Sequence, residues 1–318
     1  MILIVHNSSS RRGSRVACLL RGDRTVAGEE GRSQIEWIDL RELAGAAIEG
    51  VERIVAVGGD GTVNAVGSFL LERGLRVPVG IVPAGTGNNL CQGLGLPEDP
   101  REAYRVATVS RAMRDLDVFR VDSQDPRGVC HVFQTSALGF PSDIARRYDR
   151  LRQRPLPRLL MAPLGLNVYR LLALLGVAGQ RWAEWRGKGT LRVRMRLPGE
   201  GFESPAIAVC VGNERSLGGN FLPCPAAEME DGLLDVCLLE GEARVSYLWM
   251  LGRVAKGQHV GAHPAVHYWQ SEGPLRIELS EPATLLVDGD FPRTSSWYEY
   301  RILPKRFQVV VKELSSKR

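Results

Sequence analysis

The chain has 318 residues, 44% of them hydrophobic and 24% charged, with a formal charge of +5. That length suits two domains better than one, and that composition is ordinary for a folded, water-exposed protein rather than a disordered or fibrous one. The six cysteines are scattered without a Cys-x-x-Cys pair, which points away from a zinc site or a disulfide framework and toward reduced, cytosolic thiols.

Met1 to Val5 reads as a first strand, too short for a signal-peptide core. It runs into His6-Asn7-Ser8-Ser9-Ser10-Arg11-Arg12-Gly13, a basic, donor-rich turn suited either to phosphate contact or to plain solvation. Arg21 to Ser33 reads as a glycine- and charge-rich region, partly loop, and Ile35 to Leu40 as the second strand. Ile54 to Val57 is a β-branched apolar run of the kind that forms a buried parallel strand. Gly58-Gly59-Asp60-Gly61-Thr62-Val63-Asn64 follows, and then Ala65 to Arg73, which reads as a helix. Glycines let a backbone approach a phosphate, and a helix N-terminus favours its charge. An acid within such a turn makes sense when a metal ion sits between it and the phosphates; an ordinary turn with a solvated Asp60 is the plainer alternative. Val79 to Val82 is a further strand, ending in Pro83-Ala84-Gly85-Thr86-Gly87-Asn88-Asn89. Two glycine turns at the carboxyl ends of strands are where open α/β sheets place ligands.

From Arg114 onward strands dominate: Arg114 to Val121, Cys130 to Ser136, Gly189 to Leu197, Ala206 to Gly212, Leu234 to Leu239, Leu275 to Leu279, Ala283 to Val287 and Trp297 to Ile302. Thr190 to Leu197 alternates strictly, with three arginines on one face, as in an antiparallel sheet with one wet side. One helical insertion is expected from about Asp143 to Gly179, with Ser142 and Asp143 as candidate helix caps. Arg146 to Lys188 holds ten Lys/Arg against two Asp/Glu, a local charge of +8 that leaves the rest of the chain net negative. Basic residues beside the apolar runs Leu159 to Tyr169 and Leu171 to Gly179 suit an anionic bilayer surface, and neither run is long enough to span one.

Gly-Gly-Asp-Gly-Thr-Val-Asn followed by Pro-Ala-Gly-Thr-Gly-Asn-Asn resembles the diacylglycerol kinase and sphingosine kinase superfamily, in particular its bacterial soluble lipid kinases. The first motif alone is shared with NAD kinases; the second is more specific. The resemblance implies an α/β plus all-β chain. Residues 1–117 would be a three-layer α/β ATP-binding domain onto which 303–318 packs back. Residues 118–302 would be a β-sandwich lipid-substrate domain carrying the helical insertion. It implies ATP and Mg2+ as cofactors. Nucleotide contacts carry over to Asn7, Ser8, Ser9, Ser10, Gly58, Gly59, Asp60, Gly61, Thr62, Val63, Asn64, Gly85 and Thr86. Relatives have Asn-Pro-x-Ser-Gly where this chain has Asn7 and Ser10 without the proline or the adjacent glycine. They have a nucleotide-contacting Thr at the second strand's end, where this chain has Asp39.

The matching Asp of Glu228 to Asp235 holds Mg2+ in bacterial relatives, which transfers to Asp231 with the carbonyls of Glu228 and Leu233. One-turn, hard-oxygen ligation suits that ion; a plain Asp-Gly turn is the alternative. The family's Asp-Gly-Glu appears as Asp288-Gly289-Asp290. Its acid is the acceptor of the lipid hydroxyl's proton, so Asp60, Asp288 and Asp290 are the candidate catalytic residues. The choice of base between Asp288 and Asp290 stays open, as does a hairpin turn without chemistry. Ala137 replaces a family glycine in the stretch Ser136 to Asp143. The function implied is ATP-dependent phosphorylation of a hydroxyl on a membrane lipid, of diacylglycerol or long-chain-base type. The alternatives are a catalytically weak lipid-binding or regulatory protein, or an NAD kinase. The expected setting is the cytoplasm, peripheral to the inner membrane face, on an anionic surface. No nucleic-acid module is visible, and a homodimer is among the assemblies the sequence allows.

Overall fold

In the computed structural model, residues 1–22, 34–85, 87–152, 191–218, 221–241 and 247–313 are described. Thr86, the expected insertion beyond Arg152 and its basic and apolar runs lie outside them. The chain divides into two compact units, Met1–Val118 with Pro304–Arg318, and Phe119–Leu303.

The first unit is built on a parallel sheet of β1 (Ile2–His6), β2 (Ile35–Asp39), β3 (Arg53–Gly58) and β4 (Val79–Pro83), in the order β4-β3-β1-β2. Leu3 to Val5 and Ile54 to Val57 are buried throughout, as the unbroken apolar runs require of strands covered on both faces. Near the chain's end, Val309 pairs in parallel with Val79. Around the sheet lie α1 (Arg11–Gly22), a short 3-10 helix (Leu40–Gly45), α2 (Asp60–Glu72), α3 (Asn89–Gly93) and α4 (Pro100–Val109). Leu20, Ala103, Tyr104 and Ala107 pack from α1 and α4 onto Ile2, Ile4, Val55, Val57 and Val82. The register pairs His6 with both Asp39 and Val57, and Gly58 with Pro83. The carboxyl ends of all four strands are therefore level, and the segments leaving them share one rim.

Two local expectations change here. Asp60 is already the first residue of α2, with Gly59 as its N-cap, so the helix begins five residues earlier than the sequence pattern suggests. Gly61 weakened the periodic signal, but the Thr62 and Val63 N–H groups both bond to the Gly59 carbonyl and close the first turn. Likewise Arg11 and Arg12 belong to the first turn of α1 rather than to a loop. Ser10 caps that helix by accepting from the Gly13 N–H at 3.2 Å.

The second unit is antiparallel. Its strands are β5 (Met113–Ser123, starting in the first unit), β6 (Cys130–Val132), β7 (Thr135–Gly139), β8 (Leu191–Leu197), β9 (Glu200–Gly212), β10 (Leu234–Glu240), β11 (Val266–Ser271), β12 (Leu275–Val287) and β13 (Asp290–Val310). β9 pairs with β8 through residues 200–206 and with β7 through 208–212. β12 does the same with 276–279 and 286–287. The long strands thereby wrap one core that includes Phe119, Leu138, Met195, Val209, Val236, Ile277, Leu285, Tyr298 and Tyr300. The two runs expected at Leu275 and Ala283 are one strand with a register irregularity between Glu278 and Ala283. β11 gave no clear sequence signal; it pairs with β10 along its full length. α5 (Phe140–Arg152) opens the region where the helical insertion was expected.

Candidate active site

The two glycine turns of the first unit interlock. A Cβ built on Gly59 would stand 2.9 Å from the Gly85 Cα, and one on Gly85 would stand 2.5 Å from the Gly59 Cα. Backbone meets backbone there, so only glycine fits at either place. Asp60 fastens the contact: one carboxylate oxygen accepts from the Asn89 N–H and the other from the Leu90 N–H, both at 3.2 Å. These are first-turn donors of α3 that the helix itself leaves unpaired. Asn88, in the left-handed region at φ 53°, returns its side-chain oxygen to the Gly85 N–H at 2.9 Å. Thr62 and Val63 are buried, with their N–H groups on the Gly59 carbonyl; Gly61 is exposed, and Asn64 bonds Ser68 along the helix.

On the same rim, the loop after β1 is held by β2. The Ser8 N–H and the Arg41 N–H and Nε all donate to the Asp39 carboxylate, and Arg41 also donates to the Ser8 hydroxyl at 2.8 Å. The Arg41 bond above all, then Ser8, holds the Asp39 carboxyl well below the usual carboxylate range. Asp39 also caps the 3-10 helix in a capping box with Glu42. The aspartate at the relatives' threonine position thus has a structural task here. Within the loop, Asn7 accepts from the Ser9 N–H at 3.0 Å, and Ser14 bonds the Ser8 carbonyl.

In the second unit, Asp288 and Gly289 form the two-residue loop between β12 and β13, both at positive φ, with Val287 paired to Asp290. That is the hairpin geometry Asp-Gly favours. The two acids then diverge. Asp288 accepts three backbone N–H groups, from Phe133 at 2.9 Å, Gln134 at 3.0 Å and Thr135 at 2.9 Å. Its own N–H donates to the Thr135 carbonyl. These bonds explain why the strand expected from Cys130 to Ser136 breaks into β6 and β7: the Phe133 and Gln134 donors turn to a side chain instead of a neighbouring strand. Asp290 is exposed at the start of β13.

Sequence reading missed the residues that complete this knot. Asn213 is fully buried; its amide donates to the Phe133 carbonyl at 2.9 Å, and its N–H to the Gln134 carbonyl at 2.7 Å. Thr135 bonds the Glu214 and Ser216 carbonyls. The one signal available was Asn213 itself, an amide placed at the end of the apolar run Ala206 to Gly212. Nearby, Ala137 is buried, Ser142 bonds the Thr284 carbonyl, and Asp143 stands in the first turn of α5.

The turn at Glu228 to Leu233 is a separate feature of this unit. Asp231 accepts from the Leu233 N–H at 3.0 Å, Gly232 takes φ 74°, and Glu228 approaches Arg215 at 3.8 Å. Among the described residues no three His, Cys, Asp or Glu side chains are grouped to hold a metal. The expected Mg2+ set is of another kind, one carboxylate with two main-chain carbonyls. An observation nearby fits a cation: Asp235 is buried and its second oxygen has no hydrogen-bond partner. Burial pushes the Asp235 carboxyl up to about 6, against bonds from Tyr268 and Gln270, and the charges of Asp231 and Glu228 push the same way. A buried carboxylate with one unpartnered oxygen, close enough to feel the charge of Asp231, suits a hard divalent ion held by that carboxylate and main-chain oxygens.

An α/β unit with interlocked glycine turns, followed by an antiparallel β unit, is the build that the sequence resemblance implies. The comparisons agree. A family profile described as "Diacylglycerol kinase catalytic domain" matches residues 1–121, and one described as "YegS C-terminal NAD kinase beta sandwich-like domain" matches 175–311. A protein named "Diacylglycerol kinase" from Mycobacterium tuberculosis (strain ATCC 25618 / H37Rv) is 32% identical over 225 residues, 70% of this chain and 66% of that protein, just under two thirds of its length. A "Probable lipid kinase YegS-like" protein from Stenotrophomonas maltophilia (strain K279a) is 29% identical over 290 residues, 87% of this chain and 85% of that one. A solved structure from Bacillus anthracis str. Sterne, titled as a diacylglycerol kinase, shares the fold at TM-score 0.62 and 17% identity, over 98% of this chain and 96% of that one. A second structure from that organism reaches TM-score 0.73 at 20% identity, over 98% and 95%. The chain belongs to the diacylglycerol kinase and sphingosine kinase superfamily of lipid kinases.

Proposed function

We propose that this protein transfers the γ-phosphate of ATP to a hydroxyl of a membrane lipid, of diacylglycerol or long-chain-base type. The observation that carries the reading is the Asp60 bridge: an acid in one glycine turn that orders the other, leaving two close-packed backbone turns at a level sheet rim. Phosphate chains bind where N–H groups and helix N-termini meet without side chains in the way. In this reading the first unit handles the nucleotide, through Gly58 to Asn64, Gly85 and the Asn7 to Ser10 loop. The second handles the acceptor.

Phosphoryl transfer leaves the protein mainly positioning and charge stabilisation to supply. The lipid hydroxyl gives its proton to a carboxylate, its oxygen bonds to the γ-phosphorus, and the bond to ADP breaks. Asp290 is the better base. Three of the roughly four acceptor positions of the Asp288 carboxylate are taken by backbone N–H groups, whereas Asp290 is exposed. Asp288 is then a positioning residue that fixes the hairpin against β7. Asp60 would orient the metal–nucleotide group, while Asp231 with the Glu228 and Leu233 carbonyls would hold Mg2+, whose chemistry there is fixed positive charge.

The deciding experiment is turnover with γ-labelled ATP and a panel of hydroxyl lipids in detergent micelles, with NAD+ as an alternative acceptor. Labelled lipid supports the reading. Labelled NAD+ moves the protein to the NAD kinases, and ATP binding without any product makes it a lipid-binding or regulatory protein. Asp231→Ala should raise the Mg2+ concentration needed for half-maximal rate, read by titration. An unchanged Mg2+ dependence would remove Asp231 from metal binding.

No helix among the described residues is long and apolar enough to cross a membrane. A route to the lipid from the water side is therefore part of the proposal, and the +8 stretch from Arg146 to Lys188 is the candidate contact. Co-sedimentation should rise with the anionic fraction of vesicles and fall with salt, since exposed charges are screened over ~8–10 Å. Replacing Arg146, Arg147 and Arg150 with Gln should weaken it. Equal binding to neutral vesicles in high salt would sink the electrostatic part.

A further inference from the structure

Arg11 and Arg12 occupy the first turn of α1, which contains no acid. A helix N-terminus is its positive end, so two guanidinium groups there are unfavourable until an anion joins them. The placement is enforced locally. Ser10 caps the helix, and a Cβ on Gly13 would press within 2.8 Å of the Asn7 carbonyl, so the turn lies tight against the loop after β1. From there Arg12 reaches out of its own segment, and its Nη1 donates to the Gly85 carbonyl at 2.7 Å. Gly85 is the residue locked against Gly59 in the paired glycine turns. Arg12 therefore spans from the loop after β1 to the meeting point of the other two turns. Its anchor is a neutral carbonyl, and it forms no ion pair with any described residue. Among the described residues one of its five N–H donors is used, and no counter-ion stands on the remaining face of the fork.

We infer that Arg12 is a phosphate-binding residue, held by Gly85 so that its free donors meet the terminal phosphates of a nucleotide lying on the two glycine turns. The inference rests on the nucleotide reading above and adds to it a residue and a role. The neighbouring Arg11 adds charge to the same turn, but the cross-turn bond belongs to Arg12 and selects it. Phosphate, with its charge-assisted bonds, is what a fixed guanidinium fork of this kind recognises.

The test is calorimetric titration of the full chain with ATP, ADP, AMP and adenosine, comparing wild type with Arg12→Gln, Arg12→Lys and Arg15→Gln. Arg15 lies one turn along the same helix, is exposed, and controls for the change in net charge. Arg12→Gln should weaken ATP about tenfold or more, the scale of losing charge-assisted hydrogen bonds. ADP should weaken less, and adenosine should not change. Arg12→Lys should recover part of the loss, and Arg15→Gln should match wild type. A melting curve shows that each variant is folded. Equal weakening of adenosine and ATP by Arg12→Gln would mean that Arg12 merely props up the glycine turns and would overturn the inference, as would unchanged ATP affinity. Failure of the wild type to bind any nucleotide is a different result: it removes the nucleotide reading itself.

Discussion

Asp290→Asn is expected to lower turnover by about 10²–10⁴-fold, the range for losing a general base, while ATP affinity and melting temperature stay near wild type. The side chain is exposed at a strand start, so replacing a carboxylate oxygen by an amide costs the fold little. Asp288→Asn should behave differently. An amide has one acceptor oxygen, and its NH2 group would face N–H donors that the carboxylate now accepts. At least one of the Phe133, Gln134 and Thr135 N–H groups then loses its partner, at about 1–3 kcal/mol if it stays buried. The melting temperature should fall with the turnover, and turnover at low temperature should partly recover. The two variants are separated by that split. Should Asp288→Asn abolish turnover in a fully folded protein while Asp290→Asn is mild, the base is Asp288. Asp290→Glu adds one methylene and restores the family's residue. Retained activity would mean the site tolerates either arm, and loss would mean it is shaped around aspartate.

Asp60→Ala has the second large effect. It removes the acceptor for the Asn89 and Leu90 N–H groups at once, which costs about 0.5–2 kcal/mol by analogy with helix caps. The larger consequence is for positioning. Without the bridge the turn from Gly85 to Leu90 keeps the Ala84 N–H bond to the Gly58 carbonyl and the Arg12 bond to Gly85 but loses its hold at Asn89 and Leu90, and a displacement of about 1 Å in a positioning element costs roughly 10²-fold in rate. Asp60→Asn keeps one acceptor oxygen and should regain much of the melting temperature. If the charge also orients a metal–nucleotide group, turnover stays as low as in Asp60→Ala. If turnover follows the melting temperature back up, the bridge is the whole role. Wild-type turnover in Asp60→Ala would remove Asp60 from the mechanism.

The sequence by itself determined the parts whose causes are local. Apolar, largely β-branched runs at Leu3 to Val5, Ile54 to Val57 and Val79 to Val82 read as strands, and they are buried strands. Gly58-Gly59-Asp60 and Pro83-Ala84-Gly85, each directly after such a run, carried both the candidate ligand rim and the resemblance to the family. Asp288-Gly289 fixed a two-residue hairpin. What the tertiary structure decided lies in pairings far apart along the chain. The Asp60 carboxylate finds donors 29 and 30 residues away, and Arg12 finds its carbonyl 73 residues away. The Asp288 carboxylate finds donors 153 to 155 residues away, whereas Asp290, two positions on and chemically identical, is exposed. Periodicity and turn propensity act over a few residues, so they place a carboxylate on a turn. Which lone pairs the fold then occupies is set by the strand that packing brings beside it, as the three backbone donors on Asp288 show.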